Sequence, residues 1–370
     1  MLTKRHAVHA AIAVALVTTA CDRTETASLD QQSDFRCAVT LTDGVELERD
    51  STGLWDAGES ATMAAGGTIV AASKYGANLL AWHPDGTRWK AIGSRGRGPG
   101  EFSGAALQIF AGKADTLHVY DGTHWFLLDS ALNLIAGGGS RPQAIHRYAH
   151  FLDDGTILTT RPIGDMRQYF TVSSRDGEIL RSFGDIDSTW WSQAAYLARP
   201  SSHPRDGRFW TVPASMTGEG YVLEQWNTEG KREAHLQRNV PWMPTADAAT
   251  KAEGRPAPQF GVVHEDSTGL LWVLAMTPGD NWHINPEKEP TPEDIFAMLT
   301  YHLEVIDPAE QKILASSTID RIEDIPSAFL GNGRTALFHW EDSTGTPHAS
   351  VREYQLTDQA GSCPAVDSRG

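Results

Sequence analysis

The chain has 370 residues, enough for one large domain or two smaller ones. It contains 34 glycines, 19 prolines and 12 tryptophans but only 21% charged residues, which suits many short strands joined by turns. Acidic residues number 47 against 31 basic ones, which gives a formal net charge of −16, and no basic patch stands out, so we predict no nucleic-acid partner. The same charge favours solubility and opposes adsorption to anionic membranes.

The N-terminal segment has the layout of a signal peptide. A basic start is followed by an apolar stretch at 7–17, which is too short to span a bilayer as a helix. Small residues then lead to Cys21, as in the lipobox of bacterial lipoproteins, where the cysteine is lipidated and becomes the new N terminus. We therefore predict a lipoprotein signal peptide at 1–20 and lipidation at Cys21. Thr18 replaces the usual leucine, so ordinary signal-peptidase cleavage is the alternative.

Three further segments follow. Residues 21–35 are polar and predict a flexible tether, 36–364 predict the folded domain, and 365–370 form a short tail. The remaining cysteines, Cys37 and Cys363, lie near the two ends of that domain. In an oxidising compartment we expect them to pair and to tie the termini together, with two unpaired thiols as the alternative.

From residue 36 onward one pattern recurs six times. A short strand precedes a glycine-led strand rich in β-branched and aromatic residues, and a third strand, a turn such as Asp85-Gly86 and a fourth strand follow. We assign the glycine-led strand, for example 67–71, as the inner one. The sixth repeat lacks a fourth strand, which 37–47 can supply.

Six such repeats of roughly 45 to 60 residues predict an all-β, six-bladed β-propeller with four antiparallel strands per blade. The N-terminal strand completes the last blade. Six tryptophans are assigned to blade packing: Trp82, Trp125, Trp210, Trp226, Trp272 and Trp340.

The stretch 93–102 reads Gly-Ser-Arg-Gly-Arg-Gly-Pro-Gly-Glu-Phe and joins the first repeat to the second. Its glycines permit positive φ and close backbone approach. Arg95 and Arg97 project from a loop with little cover, which suits an anion site. The spacing matches neither a Walker A loop nor the dinucleotide fingerprint. The alternative is a tight inter-repeat turn that an Arg97–Glu101 pair holds.

This stretch also carries a family resemblance. Residues 92–102, with their Gly-Pro-Gly-Glu-Phe core, resemble the motif of bacterial six-bladed β-propeller proteins related to NHL-repeat propellers, many of which are predicted lipoproteins. The later run 117–121 resembles the family's pattern of a strand followed by aspartate. The resemblance spans residues 36–360. It implies the fold and export, and little about the ligand.

The long irregular segments, 93–106, 184–205, 238–259 and 276–299, fall in connections that emerge on one face of a propeller. We therefore predict one working face around the central channel. The capping sequence 291–294 predicts a short helix that could cover the channel mouth. Aromatic residues beside carboxylates suit sugar or peptide recognition, or else they only hold the long loops in place. The predicted ligand-binding residues are Arg95, Arg97, Trp190, Trp191, Trp242, Trp282 and His283.

These features favour a binding module for a peptide, glycan or partner protein, with no catalytic residue assigned. One alternative is a metal-dependent hydrolase or lyase in the central channel that draws on His283, His118 or Asp121; another is a structural subunit of an envelope assembly. No cofactor is predicted, although Asp185 and Asp187 leave calcium as an alternative. We expect a monomer, exported to the cell envelope and anchored to the membrane through its N-terminal lipid, on the periplasmic or outer surface.

Overall fold

The computed structural model describes most of the predicted domain. The described residues are 26–29, 35–49, 57–73, 78–96, 98, 100–103, 107–112, 115–121, 124–139, 149–163, 167–186, 199–213, 220–243, 256–279, 282–283, 291–331, 333–342, 344–358 and 363. The predicted signal peptide, the predicted tail and Cys21, Arg97, Asp187, Trp190 and Trp191 lie outside these residues.

The described residues form a chain of short strands with one α-helix. The helix, α1, spans Pro292–Met298. The strands are β1 (Thr26–Ser28), β2 (Cys37–Leu41), β3 (Val45–Glu46), β4 (Ala57–Met63), β5 (Ile69–Ser73), β6 (Leu79–Trp82), β7 (Arg88–Ile92), β8 (Gln108–Ala111), β9 (Leu117–Tyr120), β10 (His124–Leu128), β11 (Leu134–Gly139), β12 (His150–Phe151), β13 (Ile157–Thr159), β14 (Gln168–Ser173), β15 (Ile179–Asp185), β16 (Arg208–Thr211), β17 (Tyr221–Asn227), β18 (Arg232–Arg238), β19 (Gln259–Glu265), β20 (Leu271–Pro278), β21 (Leu299–Asp307), β22 (Lys312–Ile319), β23 (Pro326–Phe329), β24 (Thr335–Glu341) and β25 (Pro347–Asp358).

The strands build six small sheets, which are the blades of a propeller. Blades 1, 2, 3 and 5 consist of β4–β7, β8–β11, β12–β15 and β19–β22, each in chain order across the sheet. Blade 4 contains β16–β18, and its innermost position is taken by residues around Ser201, which bridges to Thr211. Blade 6 contains β23–β25 and β2. The predicted six-bladed, four-stranded, all-β architecture is confirmed.

The glycine-led strands are not the inner ones, contrary to the sequence assignment. In blade 1, β4 lies innermost and β5, which follows Gly67, is the second strand. The glycine belongs to the turn between the first and second strands, where Gly67, Gly155 and Gly269 have φ values of 80°, 85° and 86°. A residue with a side chain is strained at such a φ, so glycine is favoured at this position of the turn. The glycine therefore marks the start of the second strand and not of the strand that lines the channel.

Each blade is buried on both faces because it packs between two neighbours. All five residues of β5 are buried. Ile69 and Ala71 pack in a cluster with blade 6, whereas Val70 and Ala72 pack in a cluster with blade 2. This explains why a strand such as β5 reads as a nearly continuous apolar run rather than as an alternation of apolar and polar residues.

The six tryptophans assigned to blade packing divide into two groups. Trp82, Trp210 and Trp272 are buried, whereas Trp125, Trp226 and Trp340 are half-buried. Two of the buried indole N–H groups have partners: Trp82 donates to the backbone oxygen of Glu48 and Trp272 donates to the carboxylate of Asp266.

The N-terminal strand closes the ring, as predicted. β2 pairs antiparallel with β25 in a register that runs from Cys37 opposite Asp358 to Leu41 opposite Tyr354. Cys37 forms a disulfide with Cys363, and their Cα atoms are 5.4 Å apart. The predicted pairing of these cysteines is therefore confirmed, and it fixes the first strand of the domain to its C-terminal end.

Part of the segment predicted as a flexible tether, 21–35, belongs to the folded domain. β1 pairs in parallel with the outer strand of blade 4, with Thr26 opposite His235 and Ser28 opposite Gln237. Leu29 follows and is 1% exposed, in the cluster between blades 4 and 5. Burial of this leucine holds 26–29 against blade 4, so the predicted flexible stretch is shorter than the sequence suggested.

The predicted helix is present and capped as expected. Thr291 accepts a hydrogen bond from the backbone N–H of Asp294, and the Asp294 carboxylate accepts one from the backbone N–H of Thr291. Phe296 stacks on Tyr301 of β21, so the described contacts of α1 lie within its own blade. Nowhere in the described part of the chain does a helix reach the length and hydrophobicity needed to cross a bilayer.

Removing the disulfide with Cys37→Ala and Cys363→Ala should lower the free energy of unfolding by up to about 5 kcal/mol, because the bond closes a very long loop. Urea unfolding of the variant and of reduced wild-type protein measures the loss, and the two should agree. An unchanged midpoint would show that the strand pairing of β2 alone holds the closure.

Candidate functional site in the central channel

A cavity of about 490 Å³ lies on the axis of the propeller, and all six blades line it. Most of the lining comes from the inner strands. At one end it comes from turns between first and second strands, through Gly112, Asp153 and Gly331. We call this end the turn face, and the opposite end, which carries the connections between blades, the loop face. The cavity reaches the turn face, whereas the sequence drew attention to the loop face.

Three histidines from neighbouring blades converge on this cavity. His150 comes from blade 3, His203 from blade 4 and His264 from blade 5. The His150 Nε2 atom lies 2.8 Å from the Ser201 hydroxyl, and the His150 and His203 rings meet edge to face at 5.6 Å. The His264 Nε2 atom lies 2.7 Å from the backbone oxygen of Gly333, so Nε2 carries the proton that it donates.

Burial keeps two of these imidazoles neutral near pH 7. It lowers the pKa of His264 to about 4, against the opposing influence of the Gly333 carbonyl and the Asp266 carboxylate. Burial also lowers the pKa of His203, and the Asp153 carboxylate opposes this shift. The His203 side chain is accessible to solvent inside the channel. It is nevertheless surrounded by protein, because the channel runs through the middle of the ring of blades.

The neutral rings leave hydrogen-bonding atoms for a ligand. Because His264 donates through Nε2, its Nδ1 atom carries a lone pair. No side chain or backbone group among the described residues hydrogen-bonds to the His203 ring. In contrast, the Ser201–His150 hydrogen bond already satisfies two buried polar side chains.

The remaining wall mixes apolar residues with polar ones such as Ser60, Thr62 and Gln108, and it carries little fixed charge. The aromatic rings of Phe110 and Phe329 line the cavity, and Phe329 stacks on His264 with ring centroids 4.3 Å apart. None of the described lining residues is lysine or arginine, and Asp153 is the carboxylate among them. No group of three or more His, Cys, Asp or Glu in the described part of the chain is placed to hold a metal ion.

In the described part of 93–102, the carboxylate of Glu101 lies within the turn where we predict an anion site. Glu101 accepts a hydrogen bond of 2.7 Å from the backbone N–H of Gly98, and its carboxylate lies against Gly96. The backbone N–H of Gly96 donates to the oxygen of Phe102. Arg95 is exposed beside this turn. The geometry fits the alternative of a tight inter-repeat turn, with backbone N–H of Gly98 as a partner of Glu101.

Phe102 anchors this turn in the interface between blades 1 and 2. It is 2% exposed and packs edge to face against Phe126 at 5.0 Å. Its ring also lies against Gly93, which has a φ of 77° and no room for a side chain. The described residues of the Gly-Pro-Gly-Glu-Phe core therefore have a structural role: they form a tight turn whose phenylalanine packs between the two blades.

The other predicted ligand-binding residues that the structure describes are not part of the described cavity lining. Trp242 is half-buried and stacks on His302 at 4.1 Å and against Tyr221 at 5.7 Å. Trp282 is half-buried near its own turn, and His283 is exposed. Neither they nor Arg95 belong to the described cavity lining, so a role of the loop face in binding stays a prediction.

The side chains considered for a metal site have other contacts. His118 is buried and stacks on Phe151 at 4.5 Å, and burial together with Arg175 lowers its pKa to about 4. Asp121 accepts hydrogen bonds from the backbone N–H groups of Ser103 and His124, which holds the inter-blade connection against blade 2.

Asp185, considered as a calcium ligand, accepts a hydrogen bond from the side chain of Gln168.

The channel histidines were missed, although the sequence holds a signal for them. His150, His203 and His264 each stand four or five residues before the glycine that ends the first turn of a blade: Gly155, Gly207 and Gly269. This common offset places each side chain near the end of an inner strand. The sequence assignment took the second strand of each blade for the inner one, and this hid the pattern.

Solved structures share the fold, whereas no protein-family model and no curated protein matches the sequence. A candidate exported protein of Bacteroides fragilis is similar at 10% identity, with a TM-score of 0.59 over 90% of this chain and 99% of that one. A member of the DUF4221 family from Bacteroides vulgatus is similar at 11% identity, with a TM-score of 0.61 over 88% of this chain and 100% of that one. At these identities the likeness shows the propeller fold.

Phe102→Ala should cost about 3–5 kcal/mol of unfolding free energy, because it leaves a cavity between blades 1 and 2. Arg95→Ala, on the same turn, is the control and should change stability by less than about 0.5 kcal/mol. Urea unfolding of both variants checks this. Equal losses would mean that Phe102 does not anchor the turn.

Stability should fall as the pH drops from about 6.5 towards 4, because the buried neutral histidines resist protonation. His264 in the folded protein has a pKa of about 4 against 6.5 for the unfolded chain, so the unfolded state binds the proton first. The stability that the neutral His264 ring contributes is fully present above about pH 6.5. Roughly 3 kcal/mol of unfolding free energy is lost as the pH falls from there to about 4.

His264→Gln removes that contribution and should make the pH dependence shallower in urea unfolding at pH 7 and pH 5. His118→Gln, at a second buried histidine, should remove its own share independently. If the slope of wild-type protein survives both substitutions, burial of these imidazoles does not control the acid sensitivity.

Proposed function

We propose that this protein is an exported, lipid-anchored binding protein of the bacterial cell envelope, akin to the NHL-repeat-like propeller lipoproteins, that takes a small ligand into its central channel. The observation that carries the proposal is the cavity of about 490 Å³ in which three histidines converge between aromatic walls. Small-molecule sites are usually concave pockets of this size in which a few polar groups converge.

The chemistry of the lining favours a donor-rich or cationic ligand. The neutral ring of His264 offers a lone pair at Nδ1, and the His203 ring has no partner among the described residues. Phe110 and Phe329 line the cavity, and aromatic rings can attract a cation through their quadrupoles. The Asp153 carboxylate adds a negative charge, and no lysine or arginine of the described lining competes. The chain's net charge of −16 acts in the same direction.

Export draws support from two sources besides the signal-peptide pattern. The disulfide between Cys37 and Cys363 suits an oxidising compartment. One structural neighbour carries a name that assigns it to export. Lipidation at Cys21 remains part of the proposal and rests on the small residues that precede this cysteine.

The matched probes benzylamine and benzoate test the ligand chemistry, since they have similar shape and opposite charge. Benzylamine should bind with an affinity on the order of millimolar, as expected for a fragment, and benzoate should not bind measurably. His203→Ala should weaken benzylamine binding, and Asp153→Asn should weaken it roughly fivefold. Ligand-observed NMR or calorimetry measures both.

Arg95→Ala, on the loop face, is the control and should leave benzylamine binding unchanged. Binding should also fall as the pH drops toward 4, because protonation of His264, whose pKa burial lowers to about 4, places a positive charge beside the ammonium group. Preferential binding of benzoate, or benzylamine binding that survives His203→Ala and Asp153→Asn together, would contradict the proposed site.

A further inference from the structure

We infer that the channel cavity also holds a catalytic pair for the hydrolysis of small carboxylic esters, with the Ser201 hydroxyl as nucleophile and the His150 imidazole as its general base. This activity goes beyond ligand binding and rests on the proposed function only in that both use the same cavity. Three features of the channel wall point to it: the contact between the two side chains, the direction of the Ser201 backbone N–H and the neighbouring His203 ring.

The first feature is a hydrogen bond between a hydroxyl and an imidazole from neighbouring blades. The His150 Nε2 atom lies 2.8 Å from the Ser201 hydroxyl oxygen, which is within reach for a base that takes the hydroxyl proton. An imidazole that carries its own proton on Nδ1 accepts this hydrogen bond at Nε2. Both side chains are 8% exposed and both line the cavity, so a molecule in the channel can reach them.

The second feature is the backbone of Ser201. It stands opposite Thr211 in an antiparallel bridge whose two hydrogen bonds come from the residues on either side of this pair. In such a pair the N–H and C=O groups point away from the partner strand. Because Ser201 lies at the innermost position of blade 4, its N–H points into the channel, and none of the described residues accepts a hydrogen bond from it. A backbone N–H beside the nucleophile can stabilise the oxyanion of acyl transfer.

The third feature is His203, which follows Ser201 by two residues and lines the same cavity. Its ring meets the His150 ring edge to face at 5.6 Å. Because burial lowers the pKa of His203, its ring is neutral near pH 7 and carries one N–H, a second donor for an oxyanion. The Asp153 carboxylate opposes this shift, so a negative charge lies in this part of the wall and favours the imidazolium that forms at His150.

These groups suit hydrolysis of an ester in two steps. The Ser201 oxygen bonds to the carbonyl carbon while its proton passes to His150 Nε2, and the electron pair of the C=O bond moves onto the carbonyl oxygen. When that pair returns, the bond to the alcohol oxygen breaks and the alcohol leaves with the proton from His150. Water then attacks the acyl group on Ser201 in the same way. His150 takes the proton of the water and returns it to the Ser201 oxygen as the carboxylic acid leaves.

The rest of the wall sets the class of ester. The cavity has the size of a small-molecule site, and Phe110 and Phe329 offer apolar surface to the acyl or alcohol part. None of the described lining residues is lysine or arginine, and Asp153 is the carboxylate among them. An anionic ester therefore finds repulsion without a partner, and an uncharged or cationic ester is favoured.

Two probes of the full chain test the pair. Diisopropyl fluorophosphate should add to the Ser201 oxygen with loss of fluoride, and mass spectrometry of the peptides locates the adduct. Para-nitrophenyl acetate should be cleaved at a rate that rises with pH and then levels off, because His150 acts as a base only when it is neutral. Ser201→Ala and His150→Gln should each lower this rate at least about 100-fold, and the double variant should lose little more than either one.

Ser202→Ala is the matched control. The hydroxyl of this neighbouring serine accepts a hydrogen bond from the backbone N–H of Trp210 and is not part of the described cavity lining, so labelling and cleavage should stay as in wild type. An adduct on other residues in place of Ser201, cleavage by Ser201→Ala at the wild-type rate, or labelling of His150→Gln as fast as wild type would overturn the assignment. The site of the wild-type adduct decides the question even where a variant does not fold.

Failure of the catalytic pair and failure of the proposed function are distinguishable, because benzylamine binds without reacting. If benzylamine binds to wild type and the same protein neither takes the fluorophosphate nor cleaves the ester, the binding function holds and the catalytic pair is wrong. If Ser201 takes the fluorophosphate and benzylamine does not bind, the catalytic pair holds and the proposed ligand chemistry is wrong.

Discussion

Each blade is covered on both faces by its neighbours, and the whole molecule depends on this constraint. The alternating side chains of β5 divide between the interfaces of blade 1 with blade 6 and with blade 2. A sheet packed in this way cannot be stable alone, since one missing neighbour exposes an apolar face. The ring must therefore close, and the pairing of β2 with β25 and the bond from Cys37 to Cys363 close it.

Buried charge pairs between blades add specificity to this packing. Arg334 of blade 6 donates to Asp266 of blade 5 at 2.7 Å, and the same carboxylate accepts from Trp272 and Thr268. Arg238 of blade 4 pairs in the same way with Glu304 of blade 5. Loss of one partner leaves an uncompensated buried charge, so these contacts disfavour any other arrangement of blades.

The closed ring also creates the candidate site. Inner strands from three blades bring His150, His203 and His264 to one axis, although these residues are far apart in the chain. The surrounding protein that the ring supplies is what lowers the pKa of His264 and His203.

The sequence by itself determined the repeat count, the hairpin turns, the closing strand and the cysteine pair, because strand period and turn residues are local signals. The Gly93–Phe102 stretch is also visible in the sequence. Whether it forms an anion site or a structural turn depends on the contacts of Glu101 and Phe102, which only the structure provides. Only the tertiary structure decided the inner strand, the docking of Leu29 and the meeting of the three histidines. These depend on contacts between distant segments, and the common offset of each histidine from a turn glycine identifies a channel residue only once the inner strand of the blade is known.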